Sequence, residues 1–135
     1  MAGKYSRVTA QGRLVWFVER LWSLARNLPQ RAISLDQIAE FDQNCWFGPT
    51  SPPTCRAVAE HAQRIMAADL QYPIILSAEG YLMDGGHRVA KAYLLGQREI
   101  NAVHSKTPNR IIFSFRPMNP YPKCHVYQFY LLKGS

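Results

Sequence analysis

The run Asp84-Gly85-Gly86-His87-Arg88 concentrates residue types that handle phosphate. Two adjacent glycines let a ligand come close to the backbone and leave its N–H groups uncovered. A helical pattern begins directly after them, at Val89, Ala92 and Tyr93, with Gly96 placed to end it. A helix start carries partial positive charge and unpaired donors, so an anion is favoured there. His87 and Arg88 add side-chain donors in the first turn, and a guanidinium fork suits two phosphate oxygens. Asp84 allows three roles: a helix cap, an oxygen ligand for Mg²⁺ beside the phosphates, or a base on a substrate hydroxyl. The chemistry of this set is phosphate binding.

Such a turn must be held between a strand and a helix. The apolar runs 73–76 and 81–83 flank a turn at 77–80 and read as paired or adjacent strands. Residues 55–70 read as a helix capped by Thr54, with Val58, Ala62, Ile65, Met66 and Leu70 at helical spacing. On it His61 and Arg64 share a face, which either turns to the phosphate site or is an ordinary solvated face. Residues 31–34 read as a short strand, and Ser34 with Gln37 has capping-box spacing for a helix through Phe41. The loop 42–55 carries Trp46 and Phe47, which either stack on a ligand ring or staple the loop to the core. Residues 13–28 read as an amphipathic helix, with Leu14, Phe17, Val18, Leu21, Ala25 and Leu28 on one face and Trp16 and Trp22 widening it. That stripe either packs on the sheet or docks a partner or second subunit, which would make a homodimer. The expected fold is α/β (α+β): a single small mixed sheet flanked by helices, with an extra N-terminal helix.

The strand, the Asp84-Gly85-Gly86-His87-Arg88 turn, the helix and the strand at 99–103 together resemble the core signature of the ParB/sulfiredoxin-like superfamily in its Asp-Gly-x-His-Arg form. Ser34-Leu35-Asp36-Gln37-Ile38 resembles the family's first strand and following helix, so the resemblance covers roughly residues 29–104. It implies that Gly85, Gly86, His87 and Arg88 bind the phosphates of a nucleoside triphosphate or diphosphate, with Mg²⁺. It leaves the reaction open, because members include a CTP-binding DNA partition protein, ATP-using sulfiredoxin, a free-serine kinase and ParB-like nucleases. The Asp-Gly-x-His-Arg form is similar to the free-serine kinases, which implies a phosphotransferase or NTPase with a carboxylate base after the first strand. Glu40 is best placed for that role, ahead of Asp36 and Asp42, and all three also read as solvated acids. The alternative is a non-catalytic, DNA-associated or regulatory module, or a nuclease. The partition proteins carry a Glu-Arg-Arg turn and a following helix-turn-helix; here the turn is Gly86-His87-Arg88 and the 32 residues after Val103 show no such pattern, so a DNA clamp is not expected.

Composition bounds the rest. At 135 residues, 47% hydrophobic and 19% charged, the chain reads as one globular domain over 1–135, with a core at about 29–104. The net charge of +7 is uneven: +2 over residues 1–103 and +5 over 104–135, which hold five Lys/Arg and no acid. The basic segment 105–135 either faces DNA or is an extended surface with solvated charges. Within it, 110–115 and 125–132 are β-rich but separated by Pro117, Pro120 and Pro122. The apolar run 14–18 is broken by Glu19 and Arg20, which excludes a membrane span there, and Cys45, Cys55 and Cys124 lack metal-ligand spacing. A cytoplasmic protein is expected. Sulfiredoxin's nucleophile is a cysteine directly before His-Arg, where this chain has Gly86. The protein is therefore expected to leave an over-oxidised peroxiredoxin unrepaired in the presence of ATP and Mg²⁺, and measured repair would contradict that.

Overall fold

A central strand that is apolar throughout, with apolar residues on its neighbours, gives a sheet with two buried faces, and the helices cover them. A computed structural model describes residues 4–9 and 12–105, with side chains from residue 17 onward. The basic segment beyond 105, its two β-rich runs and Cys124 lie outside the described residues. Strands β1 (Lys4–Thr9) and β2 (Gly12–Phe17) form an antiparallel hairpin, and helix α1 (Val18–Ala25) follows at once. Strand β3 (Arg31–Ser34) leads into two 3₁₀ turns, Leu35–Gln37 and Ala39–Asp42. Helix α2 (Cys55–Ala67), strands β4 (Ile74–Leu76) and β5 (Leu82–Asp84), helix α3 (Gly86–Leu94) and strand β6 (Glu99–His104) complete the order. The main sheet runs β3-β6-β4-β5, with β4 and β6 parallel and the outer pairs antiparallel. The class is α+β, as expected from the sequence.

The core has two parts because β4 is central and apolar on both sides. Ile75, Met83 and Val103 point to one face and pack under Leu21 and Ala25 of α1. Ile74, Leu76, Ile100 and Ala102 point to the other, against Val89 and Ala92 of α3 and Leu35 and Ile38 of the 3₁₀ turns. A strand buried on both faces must be apolar at every position, which explains the unbroken Ile74-Ile75-Leu76. The parallel pair β4 and β6 is joined through β5 and α3, the long crossover that parallel strands require.

Three expectations need correction. The N-terminal helix does not start at 13: pairing of Lys4 with Phe17 through Thr9 with Gly12 draws 12–17 into a strand, and the helix covers only Val18–Ala25. The helix expected after β3 is two 3₁₀ turns; the Ser34 hydroxyl accepts from the Asp36 N–H at 3.3 Å but caps the short turn only. Helix α2 has Thr54 as its cap, as expected, but covers only Cys55–Ala67 instead of 55–70; it buries no residue fully, and Val58 and Met66 are exposed. It lies beside α3 instead of on the sheet.

Gly85, which precedes α3, has a φ of +119°. A Cβ there would lie 2.6 Å from Ile74 Cγ2 and 3.2 Å from an Arg88 guanidinium nitrogen. Gly80, in the β4–β5 turn, has a φ of +91° but open space around it. Gly80→Ala should therefore cost only the left-handed backbone term, about 1–2 kcal/mol. Gly85→Ala adds overpacking of about 1–3 kcal/mol on top of it. Urea unfolding of the two variants should place Gly85→Ala clearly lower; equal losses would mean the close approach to β4 is not real.

Candidate functional site

The Asp84-to-Arg88 segment splits into a structural half and an open half. Asp84 sits at the end of β5, buried, and its Oδ2 accepts from Arg88 Nη2 at 2.8 Å and from the Trp22 indole N–H at 2.6 Å. Arg88 Nη1 donates to the carbonyls of Pro73 at 2.6 Å and Tyr72 at 3.1 Å. Both terminal nitrogens of the fork are thus engaged within the chain. The guanidinium ties the start of β4, the end of β5 and, through Asp84, helix α1. Asp84 does not cap α3, whose N-cap is Gly85 with no side-chain bond.

The open half is the helix start. The first bond of α3 runs from the Val89 N–H to the Gly85 carbonyl at 2.9 Å, which leaves the N–H groups of Gly86, His87 and Arg88 ahead of the intrahelical ladder. Over this turn lies Trp46: a Cβ on Gly86 would meet its Nε1 at 3.5 Å, an ordinary contact. The indole covers two imidazoles at once, His61 at 4.7 Å and His87 at 4.8 Å, with interplanar angles of 12° and 9°. His61 Nδ1 and His87 Nε2 are 2.9 Å apart. With ring centroids at 5.2 Å, that separation is filled by the hydrogen bond and two ring radii, so the imidazoles meet edge to edge beneath the indole. Phe47 adds an edge contact to His61 at 5.3 Å.

Burial pushes His87 down to about 4, with His61 and Arg64 adding to the shift. Burial also lowers His61, then Arg64 does, against a smaller opposing pull from Glu60. Arg64 itself stays exposed and acts on the pair through its field. Two neutral imidazoles can share one hydrogen bond, one as donor and one as acceptor; two protonated ones cannot.

Beside the helix start opens a cavity of about 360 Å³, lined by Glu40, Phe41, Trp46, Phe47, Gly86 and Tyr93 among others. Glu40 Oε1 accepts from the Leu82 N–H at 3.0 Å, which fixes the side chain on the edge of β5. Its Oε2 is buried and has no partner among the described residues. The cavity wall is mainly aromatic and aliphatic, so it suits a flat apolar ring with a few polar positions.

The structure therefore brings together Asp84 with Arg88, Trp46 with His61 and His87, and Glu40 with Gly86. Trp22, Phe41 and Tyr93 join the site without having been singled out for it. Trp22 read as part of an apolar stripe, and no local pattern announces that its indole reaches Asp84 across 62 positions. A Mg²⁺ at Asp84 fits poorly, because Oδ2 already accepts from a guanidinium and an indole N–H, and a divalent cation on the other oxygen would sit beside the Arg88 charge. Among the described residues no group of three or more His, Cys, Asp or Glu is placed to hold a metal, and no helix is long and apolar enough to cross a membrane.

Comparison with known proteins adds little beyond this geometry. No family model matches the chain, and no curated protein does. Among solved structures the chain is similar to the C2221 form of a Pnob8-like ParB-N domain, with 15% identity and a TM-score of 0.38. The likeness covers 61% of this chain and 31% of that one, so this chain spans about a third of its length.

The histidine pair gives the protein a pH dependence of defined sign. Between pH 6.5, the ordinary histidine value, and about 4, the unfolded chain takes up protons that folded His87 refuses. Stability from this source is full above pH 6.5 and falls as the pH drops toward 4. Thermal unfolding from pH 7.5 to 4 should show that fall, and His87→Gln should flatten it. An unchanged slope in the variant would contradict the assignment.

Proposed function

We propose that this protein binds a nucleotide, with the phosphates at the start of α3 and the base in the adjoining aromatic cavity. The observation that carries the reading is Gly86, which belongs at once to the helix start and to the cavity wall. A helix terminus stabilises an anion by only about 0.3–2 kcal/mol. Stacking of a base on an aromatic ring contributes about 1–3 kcal/mol. Neither alone makes a useful site, and their adjacency is what supports a ligand that has both a phosphate and a ring. Arg88 contributes by fixing the turn in place, while phosphate contacts fall to the backbone N–H groups and to side chains around them, His87 and Trp46 first.

Phosphoryl transfer is a further step on the same reading. With Asp84 held by Arg88 and Trp22, the acid left for a substrate hydroxyl is Glu40, which lines the cavity. The proposal commits to binding first and places any general base at Glu40.

A charge placed on the turn separates binding from folding. Gly86→Asp puts a carboxylate at the first position of α3, where an acid favours the helix and its Cβ has room. The variant should keep or slightly raise the wild-type melting temperature. In calorimetric titrations with ATP, ADP, CTP and GTP, with and without Mg²⁺, it should lose at least about tenfold in affinity, or roughly 1.4 kcal/mol. Wild-type affinity in Gly86→Asp, or no binding by the wild-type protein, would overturn the proposal.

A further inference from the structure

The bond between His61 and His87 leaves each ring one further nitrogen. His61 Nδ1 and His87 Nε2 meet at 2.9 Å, so the remaining nitrogens are His61 Nε2 and His87 Nδ1. Neither has a hydrogen-bond partner among the described residues, and neither is sealed from solvent. Nδ1 is the ring nitrogen next to Cγ, so the free nitrogen of His87 is the one nearer its own backbone, at the first turn of α3.

A neutral pair holds two ring hydrogens: one lies between the rings, and the other sits on a single outer nitrogen. One added proton fills the second outer nitrogen and leaves the shared bond intact. A second would put hydrogen on both facing nitrogens and break it. The pair therefore accepts one positive charge without letting go of α2. Trp46 lies over both rings at 4.7 and 4.8 Å, and the face of an indole attracts a cation.

We infer that His61 is a positioning residue for the phosphate site: by accepting a hydrogen bond from His87 Nε2, it lets His87 carry a proton that enters together with the anion. The proton comes from solvent and stays on the pair, which fixes His87 Nδ1 as a donor beside the open N–H groups of α3. The inference rests on the nucleotide reading above and adds how the site gains its charge. In the free protein the surroundings oppose that proton. Burial lowers both rings, His61 and Arg64 add to this at His87, and at His61 Glu60 offsets only part of what burial and Arg64 do. The charges of Arg88 on α3 and Asp84 on β5 are paired with each other, and the 42–55 loop lays Trp46 and Phe47, which carry no charge, against the rings. A phosphate at the helix start brings the negative charge that the free pair lacks. Affinity therefore rises as the pH falls, by up to about tenfold per pH unit.

Calorimetric titration at pH 6.5, in buffers of different ionisation enthalpy, counts the protons taken up with the nucleotide, using whichever of ATP, ADP, CTP and GTP binds. Protonation of the nucleotide itself is common to wild type and variants and cancels in the comparison. His61→Phe keeps a ring beneath Trp46 but has no acceptor, so it should take up clearly fewer protons and lose the rise in affinity between pH 7.5 and 5.5. His61→Asn places an amide oxygen near the position of Nδ1 and should restore both. A ring that only supports the stack predicts the opposite order. Ring ¹⁵N shifts of the wild-type protein need no variant: both outer nitrogens should read as protonated in the complex, against one hydrogen divided between them in the free protein. Uptake unchanged in His61→Phe, or outer nitrogens unchanged on binding, overturns the inference and leaves the nucleotide reading standing. If none of the four nucleotides binds the wild-type protein, that reading falls and this inference with it.

Discussion

The guanidinium of Arg88 is the constraint on which the rest of the site depends. It faces one carboxylate and two backbone carbonyls, and its side chain and that of Asp84 are 13% and 7% exposed. A buried ion pair is a poor source of net stability, because desolvation offsets most of the attraction. Losing one partner is another matter and costs about 3–5 kcal/mol, since the remaining charge is stranded. The pair therefore acts as a lock: it specifies where the end of β5, the start of β4 and helix α1 must meet. With these fixed, Gly85 is forced against Ile74, and α3 must start where it does.

That lock sets a division of labour within five residues. Charged side chains that look like ligand binders from the sequence are used to hold the turn. The groups left at the helix start are weaker individually: backbone N–H donors and two neutral imidazoles under an indole. In the proposed site their effect would come from being preorganised beside one cavity, which lowers the ordering cost of binding. The histidine pair is part of that rigidity, because Trp46 rests on both rings and so fixes α2 and the 42–55 loop to the start of α3.

Much of the fold was legible where local signals agree. The β4–β5 hairpin, the turn and α3 were readable because strand runs, glycines and helical spacing all change register at the same residues. Thr54 announced α2 in the same way. The N-terminal reading failed where two periodicities compete: Leu14, Phe17, Val18 and Leu21 keep helical spacing, while Val15, Trp16 and Phe17 are also strong strand formers. Pairing with β1, a non-local partner, decided the outcome for 12–17. The site was legible in its residues but not in their bonds. Arg88 was identified as the central cation, yet its acceptors include two carbonyls some fifteen residues earlier, which no motif encodes. The helix face of His61 left open whether it turns to the phosphate site or to solvent, because its direct bond to His87 depends on how α2 lies on α3.

The most direct test of the proposed nucleotide site is an amide and side-chain NMR titration of the isotope-labelled protein with ATP. The expected result is that the backbone amides of Gly86, His87 and Arg88 and the indole N–H of Trp46 shift together along one binding curve, while the Arg88 guanidinium signals stay in place because their partners do not change. Large shifts of the Arg88 guanidinium with still amides at 86–88, or shifts confined to residues outside the α3 start and its cavity, would contradict a site built on the helix terminus.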